Sequence, residues 1–275
     1  MMTVGNPGAL TAVRAIQVAN SAMNQASERI STGLRINRAS DDPAGLTVAN
    51  KLKAQLASYS KVTDNLNMAT AVTQMVDDSL TQIQDLLAKM RTLAVASSTG
   101  SASTTAMTAN QAELDAYVDE IDSIADNAIW NSASVMNGTT TSMTFQSGIN
   151  SGDNIAVSFS TMLTSSLTVD LLDVETSTTT ATAAITKIDA AISAVSTYQS
   201  TIGAKINVIN AQSNVVSSTV TNYSTAYGNI MNADMAQETA NLAAAQIQRD
   251  AATAMLAQSG NMNKELVSYL LKSVA

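Results

Sequence analysis

The sequence predicts a mainly α protein: a long antiparallel helical coiled-coil rod built from both chain ends, with a small β-hairpin region in the middle. Three observations carry that expectation. Positions 185, 188, 192, 195, 199, 202, 206, 209, 213, 216, 220, 223, 227 and 230 step by three and four without error, and only Gln199 and Ser213 among them are polar, which is the heptad pattern of a coiled coil. Near the N-terminus a second seam, Ala9, Ala12, Ile16, Ala19, Met23, Ala26 and Ile30, advances in the same steps with smaller side chains. Between 143 and 159 the period drops to two, as a strand requires.

Composition agrees with thin helical seams rather than a thick core. Hydrophobic residues make up 45% of the 275, yet aromatics only 3%, and large rings are what wide cores usually rely on. The 2 Pro and 11 Gly leave room for long uninterrupted helices. Without Cys or His there is no disulfide, no thiolate metal site, no thiol nucleophile and no imidazole base, which argues against most hydrolase chemistry, and no cofactor is expected. A formal net charge of −8 with no basic cluster argues against nucleic acid and anionic lipid as partners. The first thirty residues lack a basic region followed by an apolar stretch, and no apolar run of about 18 residues marks a membrane span.

The elements follow in order. The N-terminal seam gives a helix over 1–32, and Ser31, Thr32 and Gly33 interrupt it. Residues 33–42 carry no period and read as an extended connector. Asp42 before Pro43 is an N-cap followed by a residue suited to the first helical turn, so a helix starts there and runs to about Ser98. Its apolar positions fall in two sets, Leu52, Leu56, Tyr59 and Leu66, then Val76, Leu80, Ile83, Leu87, Met90 and Ala94, with a slip in register between them. A shorter helix over 105–128 aligns Met107, Leu114, Val118, Ile121, Ala125 and Ala128, and Asn137-Gly138 is a turn that closes the region 43–138. Met143 and Phe145, then Ile155, Val157 and Phe159, alternate with polar residues across a Gly148/Gly152 turn, and the Thr-rich run 176–182 is a loop, so 139–182 is a hairpin and loop region. The heptad helix occupies 183–232 and would span roughly 70 Å, too long for a compact domain of this size. An Ala-rich amphipathic helix over 233–275 closes the chain and resembles the first in character.

Residues 28–45 read ERISTGLRINRASDDPAG, similar to the connector that joins the first two helices of bacterial flagellins. NLNMATAVTQMVDDSLTQIQDLLAKMRTLAVASSTG (65–100) and QAELDAYVDEID (111–122) resemble the two N-terminal rod helices of that family. ITKIDAAISAVSTYQSTIGAKINVI (185–209) and ADMAQETANLAAAQIQRDAATAMLAQSGNMNKELVSYLL (233–271) resemble its C-terminal rod and core segments. The resemblance implies a structural subunit that self-assembles into the flagellar filament, extracellular, exported without a cleaved signal peptide and with itself as main partner. It also implies an export chaperone, a filament cap and hook–filament junction proteins as partners. On that reading the inner core packs through Ala12, Ile16, Ala19, Met23, Ala26, Ile30, Leu242, Ile247, Leu266 and Leu270. The rod seam runs through Leu80, Ile83, Leu87, Met90, Ile188, Ile192, Val195, Ile202, Ile206 and Ile209. Only about forty residues separate the two helical halves, where large members of the family insert outer domains.

In the family, the surface around the LAKMRTLAV stretch contacts neighbouring subunits and, for some species, a vertebrate innate receptor; the matching positions are Lys89, Arg91, Leu93 and Glu113. Family receptor binders carry Arg where Lys89 stands, and an ammonium does not reproduce a planar fork, so packing is the heavier reading. Asp41-Asp42 lacks further ligands and reads as a helix cap, and Asp77-Asp78 as a solvated face. Gln199 and Ser213 are either register-setting polar layers or positions facing the hairpin. The Ser/Thr runs are either plain loops or O-glycosylated as exposed parts of flagellins often are. Two rival functions are a hook–filament junction protein and a coiled-coil type III secreted effector. The full connector favours flagellin over the first, and the lack of an apolar hairpin disfavours the second.

Overall fold

The computed structural model describes residues 7–274, and side-chain surroundings throughout except for 266, 267 and 270–274. In chain order the elements are α1 (Pro7–Thr32), α2 (Pro43–Ser97), α3 (Thr104–Asn127), β1 (Ile129–Trp130), β2 (Ala133–Ser134), β3 (Ser142–Gln146), β4 (Asn154–Ser158), α4 (Thr164–Leu167), α5 (Thr178–Met231) and α6 (Met235–Val274). Two compact units are made from them. One joins residues 1–54 to 222–275, and the other is residues 55–221.

In the second unit α2 and α5 run antiparallel, as three cross-helix contacts show. Gln199 donates to Asp77 and Thr81, Gln84 donates to Ser196, and the Arg91 guanidinium grips Asp189. From α5, Ile188, Val195, Ile202, Ile209 and Val216 are buried at seven-residue intervals, and Ile192 and Ile206 flank them half-buried. From α2, Leu80, Ile83, Leu87 and Met90 are fully buried in the same cluster. The expected slip in α2 is absent. Val62, Leu66, Ala69, Thr73, Val76 and Leu80 are all buried and keep the three-and-four spacing without a break. The sequence hid this because one member is an alanine and the next a hydroxyl residue. Buried Thr73 is satisfied inside its own helix, where its Oγ1 donates toward the Ala69 and Thr70 carbonyls at 2.8 and 2.9 Å, so it fills a seam position at little polar cost.

Gln199 resolves toward the polar-layer reading, because its amide is the cross-helix donor at 3.1 Å to both Asp77 and Thr81. Asp77 is therefore half-buried and bonded rather than merely solvated, which corrects the solvated-face expectation for it. The neighbour of Ser213, Gln212, is the residue that reaches the hairpin, donating to the Ser147 carbonyl.

The middle region contains more structure than alternation revealed. β3 pairs antiparallel with β4, Met143 opposite Val157 and Phe145 opposite Ile155, and Gly152 takes a positive φ of 96° in the turn. A second hairpin, β1 with β2, turns through Asn131 and Ser132, both at positive φ; two-residue strands are too short to show a period. α4 is a single turn whose start is tied to α3, since Asp122 accepts from the Thr164 backbone N–H and hydroxyl at 2.7 and 2.8 Å. The run 176–182 is a loop only in its first residues. Ser177 and Thr180 cap each other reciprocally, each backbone N–H donating to the other's hydroxyl, and this starts α5 at Thr178.

These packing positions differ in burial, and that difference is measurable. Ile209→Asp puts an unpaired charge at a fully buried site and is expected to cost about 3 kcal/mol or more, whereas half-buried Ile206→Asp costs less. Thermal unfolding followed by circular dichroism checks the order; equal losses would show that the seam is misplaced.

Candidate functional site

The connector and the alanine seams lie in the unit formed by residues 1–54 and 222–275. There α1 packs along α6, antiparallel, with Arg29 near the end of α1 donating to Glu238 in the first turn of α6 at 3.0 Å. The buried positions of α1 are Ala12, Ala19 and Ala26. Among the described positions of α6, Glu238, Ala245 and Ala252 are buried, again at intervals of seven. A seam of methyl groups lets two backbones approach closely but buries little, about 0.8 kcal/mol per methyl-sized group against ~1.5–3 kcal/mol for a fully buried Leu or Ile. Ile16, Met23 and Ile30 of α1 and Leu242 of α6 flank the seam half-buried. Leu266 and Leu270 lie outside the residues whose side chains are described.

Glu238 is only 7% exposed and occupies the register that alanine fills one and two heptads on. Arg29 and Asn241 both donate to its carboxylate, and its place in the first turn, after the Asp234 N-cap, suits a negative charge. One bonded acid in an otherwise uniform alanine seam fixes which turn of α1 meets which turn of α6.

Ile247 does not join this seam: it is 69% exposed, with Met255 at 69%, Met262 at 56% and Tyr269 at 75%. At about 100° per residue these four fall within about 80° of each other and about a third of a turn from the alanine face. So α6 carries two faces among the described residues, one of small residues against α1 and one of large apolar residues that stand exposed. α1 likewise exposes Leu10 and Val18. Scattered exposed apolar residues need no explanation, but a stripe along one helix face does.

The connector, residues 33–42, holds this unit together residue by residue. Gly33 at φ 71° ends α1, its N–H returning to the Arg29 carbonyl. Leu34 bridges to Asn232, the Arg35 N–H donates to the Met231 carbonyl at 2.6 Å, and the Arg35 guanidinium reaches the Ile230 carbonyl. Ile36 is buried with Ala49 and Met231. Arg38 pairs with Glu28. Asp41 accepts the Asn37 and Arg38 N–H groups, and Asp42 Oδ1 accepts the Gly45 N–H at 2.8 Å, capping α2. Gly45 leaves no room for a side chain, since a Cβ there would overlap the Asp42 carboxylate and come within 2.9 Å of Ile36. Asp41-Asp42 is thus a turn and a cap, and among the described residues no group of three or more acidic side chains is arranged to hold a metal. No described helix is long and apolar enough to cross a membrane.

In the other unit, three of the four surface positions singled out by sequence fall into two groups. Lys89 stands 5.8 Å from the centre of the Tyr117 ring, and the Tyr117 hydroxyl donates to Glu113 at 2.6 Å, which holds that phenol above its ordinary pKa. Arg91 is turned elsewhere: it grips Asp189 at 2.6 Å and keeps that carboxyl below its usual range. Leu93 is half-buried against the core. Tyr117 and Asp189 were missed because neither lies in the LAKMRTLAV stretch; only the packing of other helices beside it brings them in.

Comparison with known proteins now decides the family. The description "bacterial flagellin N-terminal helical region" matches residues 6–141, and "bacterial flagellin C-terminal helical region" matches residues 185–270. The chain belongs to the bacterial flagellins. Polar flagellin F of Vibrio parahaemolyticus is 33% identical over 162 residues, 59% of this chain and 43% of that protein. Flagellin E of Vibrio cholerae is 35% identical over 167 residues, 60% and 44% respectively. The matches therefore span less than half the length of these curated relatives. Among solved structures, Bacillus cereus flagellin aligns with a TM-score of 0.51 at 29% identity, covering 60% of this chain and 94% of that one. A flagellar hook-associated protein described as putative, from Vibrio parahaemolyticus, aligns at TM-score 0.62 and 14% identity over 70% of this chain, a likeness of fold alone. Flagellins are structural proteins, not enzymes. In this flagellin no large domain interrupts the two halves; between α3 and α5 the described chain holds the two hairpins and α4.

Two expectations follow from the connector. Gly45→Ala should destabilise the unit by about 1–3 kcal/mol, seen as a lower denaturant midpoint; an unchanged midpoint would mean that the Asp42 cap yields freely. The Asp41 carboxyl is held below its ordinary value of 3.8, chiefly by the Arg38 and then the Asn37 N–H. A depressed folded pKa stabilises above the unfolded value and that contribution is lost as pH falls through the folded one. Exchange protection of the Asn37 and Arg38 amides should therefore collapse as pH drops below 3.8, and Asp41→Asn should remove the pH dependence; the same profile in both proteins would contradict this.

Proposed function

We propose that this flagellin is a subunit of the extracellular flagellar filament, used for swimming, and that its own copies are its principal partner. The observation that supports the reading most is the doubled face of α6. The alanine side is used within the subunit, and the stripe of Ile247, Met255, Met262 and Tyr269 is left for a second copy. Ala12, Ala19 and Ala26 then serve the pairing of α1 with α6, and Ile16, Met23, Ile30 and Leu242 line its edge. Export through the flagellar apparatus without signal cleavage, and the chaperone, cap and junction partners, are what membership of the family suggests. A junction protein is the weaker alternative, because the hook-associated likeness rests on fold only.

Salt-induced polymerisation of purified protein, viewed by electron microscopy, tests the function: long tubes support it, and persistent monomer contradicts it. Ile247→Asp should abolish tube growth and leave the helicity of the monomer unchanged, since its side chain touches solvent there. Tubes of normal length from this variant would remove the stripe from the proposal.

The patch of Lys89, Leu93 and Glu113 is assigned to contact with neighbouring subunits, and Arg91 to the α2–α5 pairing inside one subunit. The family's vertebrate receptor reading of this patch is tested with a cell reporter exposed to depolymerised monomer. A response that falls in Lys89→Ala supports it, and silence removes it.

A further inference from the structure

The uncovered stripe of α6 contains two thioethers, and the chain has 14 Met and no Cys. Methionine is thus its chief target for mild oxidants. Access divides those side chains sharply. Met90 and Met136 are fully buried, and Met107, Met162 and Met231 nearly so. Met255 and Met262 are the most open of the described methionines, followed by Met235 and Met68. The two most exposed of the described methionines therefore sit seven residues apart on the same face, between Ile247 and Tyr269.

We infer that Met255 and Met262 form an oxidation-sensitive site through which peroxide blocks assembly of the free subunit while leaving the assembled polymer untouched. The inference rests on the proposed packing of the α6 stripe against a second copy. In the step, a thioether sulfur lone pair attacks one oxygen of hydrogen peroxide and the O–O bond breaks. The departing hydroxide takes the proton from the transferred oxygen and leaves as water. Sulfur is oxidised by two electrons to the sulfoxide, and peroxide oxygen is reduced by the same two. The product replaces a flexible apolar side chain by a polar, chiral one. In solvent that change costs the monomer almost nothing. Under a second copy it buries a strong acceptor for which an otherwise apolar stripe supplies no donor. Oxidation of the core methionines would unfold the other unit instead, but their burial places them later in the order of reaction.

The test uses the full chain. Depolymerised protein is treated with graded hydrogen peroxide, quenched, mapped by peptide mass for oxygen addition at each Met, and then seeded with untreated filament fragments. Expected are oxidation of Met255 and Met262 well ahead of Met90 and Met136, unchanged helicity, and elongation slowed about tenfold or more. Met255→Leu/Met262→Leu should elongate at one and the same rate with and without that dose, and Met255→Gln/Met262→Gln should be slow without peroxide. Should the Leu variant itself fail to polymerise, the oxidised wild type and the Gln variant decide. Oxidised wild type elongating at the control rate, or a polymerising Leu variant as sensitive as wild type, overturns the inference. Peroxide on intact filaments separates the two readings. Protection of both residues there, with normal elongation of oxidised monomer, sinks only the oxidation site. Equal oxidation in filament and monomer sinks the stripe packing beneath it.

Discussion

The close approach of α1 and α6 is the constraint on which the terminal unit depends. Only small side chains allow it, and Ala12, Ala19, Ala26, Ala245 and Ala252 supply them at heptad spacing. Small side chains also contribute little hydrophobic stabilisation each, so two helices of this length are weakly held by their mutual seam. The Arg29–Glu238 pair adds register more than stability, because a buried ion pair must first offset its own desolvation. What α6 lacks in its inner seam it carries on its outer face, where large apolar residues stand uncovered. On the proposed reading, a subunit built this way gains its remaining order by association.

The other unit solves the same packing problem with large aliphatic residues. Leu80, Ile83, Leu87 and Met90 against Ile188, Val195, Ile202 and Ile209 are buried without any second copy. Its polar contacts between α2 and α5, at Gln199, Gln84 and Arg91, are spaced along the pairing and oppose sliding. The contrast between aliphatic and alanine seams is thus one of buried apolar volume, large in the second unit and small in the terminal one.

Much of this was legible in the amino-acid order. The heptad of α5 includes Ile188, Val195, Ile202, Ile209 and Val216, which are buried, though Ala184, Ala191 and Tyr198 are buried outside it, and Asp42-Pro43 marked the start of α2. The connector's extended character followed from its lack of period, though not its bonding, since the partners Ile230 and Met231 lie nearly two hundred residues away. Illegible features have particular causes. Thr73 disguised a continuous seam because hydropathy does not read a hydroxyl residue as core. Ser177 and Thr180 form a cap that composition cannot distinguish from a Thr-rich loop. Ile247 was expected in inner-core packing, but an apolar residue in an amphipathic helix does not say which of two faces meets which neighbour.

The absence of cysteine allows the central claim to be measured directly. Ile247→Cys places one thiol on the outer face of α6, and its rate of maleimide labelling is read in depolymerised subunit and in filaments grown from the same preparation. The account predicts fast reaction in the free subunit and strong protection in the filament. Labelling at the same rate in both would show that this face stays open to solvent after assembly and would contradict the account.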